Sequence, residues 1–400
     1  MHKRTRAALL ISLSAAFIVL TAGPVLAQPP VPLRMSTRAQ AMGGANLLSA
    51  GPIEAGYFNP AALTLNKGLH LTLALQGSFD QDFLDLADFI TSEENSELFD
   101  PAEFASVYVS DQGRAEDFRS NLEDYSSRWY TLSVDPMIGV QIGALSLSGY
   151  AVMRAEIRPE IPAIAPPAIP DAPSLKARVA SDLVTNAALG MQLGKMLRGG
   201  IALRMLQRQY SNELTISHED MGETGDFTTS LLDEENWLDE PLSGYQVDVG
   251  GIFTLSKAFV AGGVIRGLFS GGDEQLTKKL KPELSGGIMF KPLEVLMGIP
   301  KILIKDITLE ANIRDLLNSR ADAYDDIMDR LQIGAEVRIP FIQLRAGLNR
   351  GQLSLGAGFR FLVVDISAAV STFTDFERGL DGFYVPIEKR YFTVGAAVGF

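Results

Sequence analysis

The sequence contains no cysteine and only three histidines among its 400 residues. Without cysteine there is no disulfide framework, thiolate metal site or cysteine nucleophile, and the scarcity of histidine removes the commonest acid–base residue. Charged residues make up only 21%, and 48 acidic residues outnumber 35 basic ones, which gives a net charge of −13. This balance argues against a nucleic-acid partner. We therefore expect that the protein is not an enzyme and that it has no cofactor and no metal site.

Long hydrophobic runs are absent after the N-terminus. The apolar run Ala7–Leu20 follows a basic start that includes Arg4 and Arg6, and small residues follow it up to Ala27. The run is shorter than the roughly 20 residues that a transmembrane helix needs. We interpret residues 1–27 as a secretory signal peptide that is cleaved after Ala27. Because 46% of the chain is hydrophobic, the exported protein is either a globule or an outer-membrane β-barrel.

Apolar residues alternate with polar or small residues from residue 68 onwards. In the stretch 353–361, Leu355 and Phe359 share one face, and Ser354 and Arg360 share the other. A strand with this pattern places one face in an apolar medium and the other in a wet or tightly packed one. Small or charged residues on the polar face, and connections that alternate between short and long, favour a barrel surrounded by lipid over a soluble sandwich.

The pattern predicts an all-β fold, a membrane-spanning antiparallel up-and-down β-barrel of about fourteen strands. Short connections are expected to be periplasmic turns, and long ones extracellular loops. The connections 292–304 and 349–351 break this alternation, so the count could change by two. The predicted strands are residues 68–79, 129–141, 144–157, 176–193, 200–217, 243–255, 258–266, 281–291, 305–314, 329–339, 341–349, 352–361, 363–373 and 390–400.

The predicted extracellular loops are acidic. The first, residues 80–128, also carries Phe83, Leu86 and Phe89 at helical spacing, which predicts an amphipathic helix folded over the barrel mouth. The acidic residues could bind divalent cations or keep the cell surface hydrated, and hydration is the favoured interpretation. The proline-rich residues 159–173 predict an extended loop.

Charged residues recur on the predicted inward face of the strands. Opposite charges on neighbouring strands can pair across a narrow lumen. Such a polar ring could guide the headgroup of a solute or hold the barrel closed, and closure is the favoured interpretation. The residues assigned to this network are Arg154, Arg204, Glu310, Arg314, Glu336, Arg338, Arg345 and Arg360.

Pro136 falls in the middle of the second predicted strand. Proline cannot donate a backbone hydrogen bond, so one pairing should be missing at Asp135 and Pro136. We expect this gap beside a glycine of the neighbouring strand, Gly149 or Gly143 according to the register. The alternative is a bulge that only adjusts the curvature of the barrel.

The 40 or so residues between the cleavage site and the first strand do not alternate, which separates residues 28–67 from the barrel. Gly43 and Gly44 permit a close or left-handed passage of the backbone. Asn59 is a suitable helix N-cap and Pro60 a suitable first helical residue, so a short helical turn should begin at Ala61.

The C-terminal strand ends in alternating apolar residues and a final Phe400. This resembles the signal of bacterial outer-membrane proteins that the barrel-assembly machinery reads. Together with the Asn59-Pro60-Ala61 motif and the signal peptide, it resembles the FadL-type family of outer-membrane transporters for long-chain fatty acids and other hydrophobic compounds. The resemblance implies a plug of residues 28–67 inside a barrel of residues 68–400.

The family resemblance also implies a function. The protein would take up hydrophobic small molecules passively across the bacterial outer membrane, with lipid around it and a lateral exit at a strand kink near the plug. The stretch 38–45 is more similar to a sister branch, the PorV-like and TraF-like barrels, which implies a structural or secretion-partner role without transport. An apolar pocket from the loops to the plug would favour transport, and a lumen crossed by salt bridges would favour a scaffold.

Overall fold

The computed structural model describes residues 35–66, 68–162, 171–211, 213–216, 241–273, 282–295, 303–317, 326–378 and 384–399. The predicted signal peptide, the first residues of the predicted plug, most of the loop after residue 216 and the terminal Phe400 lie outside the described residues. In the part of the chain that is described, no helix has the length and apolar character needed to cross a membrane.

Sixteen strand segments form one antiparallel sheet. Their apolar residues alternate as the sequence predicts, so each segment has one apolar face. The segments are β1 Leu69–Asp80, β2 Tyr130–Val134, β3 Met137–Ile142, β4 Leu145–Glu160, β5 Ser174–Gln192, β6 Leu197–Tyr210, β7 Leu214–Ile216, β8 Leu242–Thr254, β9 Phe259–Gly272, β10 Glu283–Phe290, β11 Asp306–Ile313, β12 Leu331–Arg338, β13 Ile342–Asn349, β14 Gln352–Phe361, β15 Val364–Arg378 and β16 Tyr384–Gly399.

The sheet closes into a barrel because β1 pairs with β16, and each strand position pairs with the next one along the chain. β2 and β3 share one position, since both lie between β1 and β4, and β7 extends the position of β6 beside β5. The barrel therefore has fourteen strand positions. The prediction of a fourteen-stranded antiparallel barrel is confirmed.

The outward face of the barrel is apolar and the inward face is polar or small. Leu355 and Phe359 are 50% and 51% exposed, whereas Ser354, which directly precedes Leu355, is fully buried. Aromatic pairs mark the edges of this belt: Phe341 with Phe361 at one end, and Phe79 with Phe392 at the other. An apolar belt with aromatic edges is the surface that a membrane barrel presents to lipid.

The two ends of the barrel differ in their connections. At the short-turn end, two residues join Ile142 to Leu145 and two join Phe361 to Val364. At the long-loop end, the segment between β1 and β2 is a helical region. The connection after β10 is the exception at the short-turn end, because it contains a 3-10 helix, Pro292–Glu294, and is long. A further 3-10 helix, Met328–Arg330, precedes β12 at the long-loop end.

The helical region after β1 forms a cap. Asp80 begins its first helix by accepting a hydrogen bond from the Asp82 backbone, and Asp100 caps a later helix in the same way. The apolar side chains of these helices form a cluster of their own, centred on Phe104 and Phe118. The cap consists of α3 Gln81–Thr91, α4 Glu93–Ser96, a 3-10 helix Glu97–Phe99, α5 Pro101–Ser110 and α6 Gln112–Ser126.

The cap packs against the outer side of the barrel rather than over its mouth, so the expected position was wrong. Its cluster includes Tyr130, Ala177 and Ile157, which form one cross-strand row on the outward face of β2, β4 and β5. These strands extend beyond the lipid belt, and their outward row needs an apolar cover there. The inward-facing row at the same height is charged, because Glu156 and Arg178 form an ion pair there. Apolar helices therefore cannot bury their side chains against it.

Arg128 fastens the cap to the barrel. Its guanidinium pairs with Asp82 of α3 and lies 4.8 Å from the centre of the Tyr130 ring. Burial lowers the pKa of Arg128, but hydrogen bonds with Tyr130 and Asp82 outweigh burial and raise the pKa above its ordinary value. The guanidinium therefore stays charged and keeps both partners.

Candidate functional site

Residues 35–66 lie inside the barrel and are called the plug here. Their apolar side chains, among them Leu48, Tyr57 and Leu63, are buried against inward-facing wall residues such as Tyr150 and Val184. The plug contains α1 Thr37–Ala41, α2 Ala55–Phe58 and a 3-10 helix Pro60–Thr64. The apolar side of the plug thus packs against an apolar part of the inner wall.

The Asn59-Pro60-Ala61 motif begins the 3-10 helix. The Asn59 side chain accepts a hydrogen bond from the Ala61 backbone N–H at 3.1 Å and donates one to the Gly263 carbonyl at 3.3 Å. Pro60 occupies the first helical position, where no N–H is needed. All three residues are fully buried or nearly so. The motif therefore faces the wall and not the solvent.

Wall glycines make room for this helix, and we call Gly190, Gly200 and Gly250 with residues 59–65 the glycine seat. A Cβ atom at Gly250 would lie 2.0 Å from Asn59 Oδ1, and one at Gly200 would lie 2.4 Å from the Ala61 nitrogen. Real Cβ atoms do not approach other atoms so closely. Only glycine at these positions lets the helix lie against β5, β6 and β8.

Gly43 and Gly44 lie at a second close approach. Both have positive φ angles, +61° and +81°, which other residues rarely adopt. Across the gap, a Cβ atom at Gly347 of β13 would lie 2.1 Å from the Met42 carbonyl carbon. Here glycine is needed on both sides, once for the backbone turn of the plug and once for space in the wall.

Two glutamates bind the plug on the other side of the lumen, and we call them, with Arg38, Leu48 and Ser49, the charged seat. Glu310 of β11 accepts hydrogen bonds from the backbone N–H groups of Leu48 at 2.8 Å and Ser49 at 2.9 Å, one on each carboxylate oxygen. Glu336 of β12 binds the Arg38 guanidinium at 2.9 Å and 3.3 Å. The charged seat joins the plug to two neighbouring strands.

The remaining residues of the predicted network fall into separate groups. Arg338 and Arg345 both pair with Glu336, at 2.6 Å and 2.8 Å. Arg204 pairs with Asp248, and both side chains are 1% exposed. Arg314 lies 3.6 Å from Glu283, Arg360 pairs with Asp365 at the short-turn end, and Arg154 lies on the inward face of β4.

Sequence reasoning missed Arg266 and the irregularity beside it. Between Val247 and Val249 the pairing of β8 with β9 shifts register, and Gly267 has a φ of +63°. Asp248 accepts a hydrogen bond from the Gly267 N–H at 2.9 Å, while Arg266 pairs with Glu283 at 2.9 Å. The Arg266-Gly267 pair in a strand pattern is a signal of a bulge.

The wall is also interrupted at Asp135 and Pro136. The register is unchanged, because Val134 still pairs with Gly77 and Met137 with Ala74. No residue is inserted, so the alternative of a bulge does not apply. Pro136 accepts a hydrogen bond from the Ala151 N–H at 3.0 Å but returns none.

We expected Gly149 or Gly143 beside this interruption. The expectation for Gly149 was wrong, because Gly149 pairs with Ile138. The two-residue turn after Ile142 fixes the register and brings Ala151 opposite Pro136 instead.

The interruption lies close to the start of the plug. Gln76 of β1 donates hydrogen bonds to the Asp135 carboxylate at 3.2 Å and to the Met35 carbonyl at 3.0 Å, and accepts one from Thr37 at 3.2 Å. One buried amide therefore joins the plug to the interrupted strand.

The barrel and plug resemble solved structures of hydrocarbon channels. The deltaS2 mutant of the TodX monoaromatic hydrocarbon channel superposes with a TM-score of 0.50 at 11% identity, covering 91% of this chain and 97% of that one. The Pseudomonas putida toluene transporter TodX gives 0.47 at 12% identity, covering 94% and 99%. The Ralstonia pickettii toluene transporter TbuX gives 0.43 at 10%, covering 94% and 98%. No protein-family model and no curated protein matches the sequence.

The chain has the TodX fold. This is the fold that the FadL-type resemblance implies, so the resemblance is confirmed for the fold.

Within this fold, one cavity lies between the plug and β9–β12. Its volume is about 40 Å³. That is room for a few water molecules, whereas a cavity that binds benzene has about 150 Å³. Its lining mixes apolar plug residues with charged wall residues: Met35, Gly44, Leu47, Phe58, Arg266, Ser285, Asn312, Arg314 and Gln332. The cavity is therefore too small to hold a benzene-sized molecule.

Proposed function

We propose that the protein is a bacterial outer-membrane channel for passive uptake of hydrophobic small molecules. The observation that carries this proposal is the plug. Wall side chains can fill a barrel of about eight strands, whereas a fourteen-stranded barrel has a wider lumen. Here the lumen contains a separate segment, residues 35–66, which packs against the wall. We propose that this segment moves while the barrel stays folded.

The TodX fold supports the class of substrate. The TodX structure is that of a monoaromatic hydrocarbon channel, and we propose that the barrel and plug of this chain serve an apolar compound. Long-chain fatty acids are the substrates that the FadL-type resemblance implies. Monoaromatic hydrocarbons and long-chain fatty acids both partition into lipid, and one compound of each class belongs in the first test.

We further propose that the substrate leaves sideways between β2–β3 and β4, at Asp135 and Pro136. The missing donor at Pro136 leaves the pairing opposite Ala151 weaker than a regular ladder, and Gln76 connects this place to the plug. Replacing Pro136 by valine supplies the donor and should slow uptake while the barrel stays folded. Unchanged uptake by the Pro136→Val variant would remove this exit.

A second function is favoured by the ion pairs of the lumen. Arg204–Asp248 and Arg208–Asp182 cross between neighbouring strands and reduce the space beside the plug. These pairs suit a closed PorV-like or TraF-like barrel that serves as a structural or secretion partner. In that case the plug would be permanent.

Uptake separates the two functions. Cells lacking the gene would be compared with cells that express it, using a dye-labelled long-chain fatty acid and, separately, toluene. We expect faster entry of at least one compound in expressing cells. If one compound enters faster, it defines the substrate class. If neither enters faster although the folded barrel is present in the outer membrane, the closed PorV-like or TraF-like barrel is the better account.

The proposed location requires export and assembly. We propose cleavage of the signal peptide after Ala27, and recognition of the C-terminal strand by the barrel-assembly machinery. Val394 and Val398 on the outward face of β16 support this, because they continue the apolar pattern of the predicted signal. N-terminal sequencing of the mature protein tests the cleavage site.

A further inference from the structure

The charged seat binds the part of the plug from Arg38 to Ser49, which also packs closely against Gly347, and the contacts of the charged seat are directional. Glu310 uses both oxygens for the Leu48 and Ser49 N–H groups, and Asn312 donates a further hydrogen bond to Glu310 at 3.0 Å. Hydrogen bonds to a charged acceptor are stronger than neutral ones and depend on alignment. A small displacement of the plug therefore breaks them.

Arg38 makes the second charged contact and also organises the plug itself. Besides Glu336, it binds Asn46 and donates to Ser49 Oγ at 3.1 Å. The segment from Arg38 to Ser49 is thus one hydrogen-bonded unit. Because Glu310 and Glu336 both bind this unit, they act on the same part of the plug.

The other half of the plug is held differently. Residues 59–65 lie in the glycine seat, only a few residues before β1 begins at Leu69, so the chain itself ties them to the wall. Gln141 of β3 adds hydrogen bonds to the carbonyls of Leu63 at 3.3 Å and Asn66 at 2.5 Å. In the part of the chain that the structure describes, none of these hydrogen bonds to residues 59–66 involves a carboxylate.

We propose that Glu310 and Glu336 form a latch, and that the plug opens by releasing them while residues 59–65 stay in the glycine seat as a pivot. Opening then moves the part from Arg38 to Ser49 away from β11 and β12 and widens the cavity that lies there. This inference concerns how the lumen opens and does not depend on which compound, if any, passes through it.

Thiol labelling of the full-length protein in lipid vesicles tests the latch. The chain has no cysteine, so Leu47→Cys and Ala61→Cys each supply a single thiol, one near the latch and one in the pivot. Both sites are buried in the closed plug. Adding Glu310→Gln should raise the maleimide labelling rate at position 47 by about tenfold, which corresponds to about 1.4 kcal/mol. The rate at position 61 should not change.

Asp182→Asn is the matched control. It removes one inward carboxylate and its ion pair with Arg208, which lies on the wall between β5 and β6. This control should leave the labelling rate at position 47 unchanged. If the control raises that rate as much as Glu310→Gln does, the effect is general loosening and the latch is wrong.

Two further outcomes would overturn the proposal. If the rate at position 47 stays slow in Glu310→Gln, in Glu336→Gln and in the double variant, these glutamates do not hold the plug. If the rates at positions 47 and 61 rise together, the plug leaves as one piece and there is no pivot. Folding is followed by the migration of the unheated barrel on gels. Should Glu310→Gln fail to fold, Arg38→Gln breaks the same latch from the plug side.

Discussion

The glycine seat and the charged seat hold one plug in opposite ways. In the glycine seat the wall contributes empty space, and Gly200 and Gly250 let backbone atoms of the plug lie where a side chain would be. In the charged seat the wall contributes carboxylates, which satisfy Arg38 and two backbone N–H groups. The first seat depends on shape, and the second depends on charge.

This difference determines how each seat can fail. A close-packed contact has no room for added atoms, so overpacking destabilises it. A buried ion pair tolerates little change in charge, because the remaining partner has lost its water without compensation. Substitutions that add volume or remove charge should therefore affect the two seats unequally.

Removing the charge of Glu336 should have the largest effect. Glu336→Leu leaves Arg38, Arg338 and Arg345 without their shared carboxylate in the lumen. Breaking one side of a buried ion pair costs about 3–5 kcal/mol. Urea unfolding of the barrel in lipid vesicles should show a loss of this size.

The control for that substitution is Asp365→Asn at the short-turn end. Its partner Arg360 has a side chain that is 57% exposed, so water can replace the carboxylate. Exposed pairs contribute less than about 1 kcal/mol. Equal losses for Glu336→Leu and Asp365→Asn would mean that the lumen is as wet as the surface, and the charged seat would lose its special role.

Adding volume to the glycine seat should have the next largest effect. Gly250→Leu places atoms where Asn59 lies and forces the 3-10 helix away from β8. Overpacking of this kind costs about 1–3 kcal/mol. The neighbouring Gly251 faces outward, and a Cβ atom there would meet nothing within 4 Å. Gly251→Leu should therefore leave the free energy of unfolding unchanged, and a similar loss for both variants would contradict the seat.

The sequence predicted the barrel well because alternation is a local property. Period two assigns each strand residue to a face without knowledge of the partner strand, which is why Leu355 could be placed outside and Ser354 inside. The same pattern explains the correct count of strand positions. The turn at Pro60 was also local, because an N-cap and its helix are adjacent in sequence.

The seats could not be predicted because they are long-range. Arg38 and Glu336 are 298 positions apart, and no local pattern connects them. Glycine pairs occur at 199–200 and 250–251, but only the register decides which glycine of each pair faces the plug. The predicted position of the cap over the mouth was wrong for a similar reason. The sequence of an amphipathic helix shows that the helix has an apolar face, but it does not show which surface buries that face.

The smallest expected effect concerns Asn59, which lies in the glycine seat but contributes a polar contact. Asn59→Ala removes the cap on the Ala61 N–H and the hydrogen bond to the Gly263 carbonyl, while the shape of the seat is kept. Loss of an N-cap costs about 1 kcal/mol. Unfolding in lipid vesicles should therefore show a smaller loss for Asn59→Ala than for Gly250→Leu. Asn66→Ala, which removes one long hydrogen bond of 3.4 Å to the Ala50 carbonyl, serves as the control within the plug. If Asn59→Ala costs more than Gly250→Leu, polar contacts and not shape hold residues 59–65, and the contrast between the two seats fails.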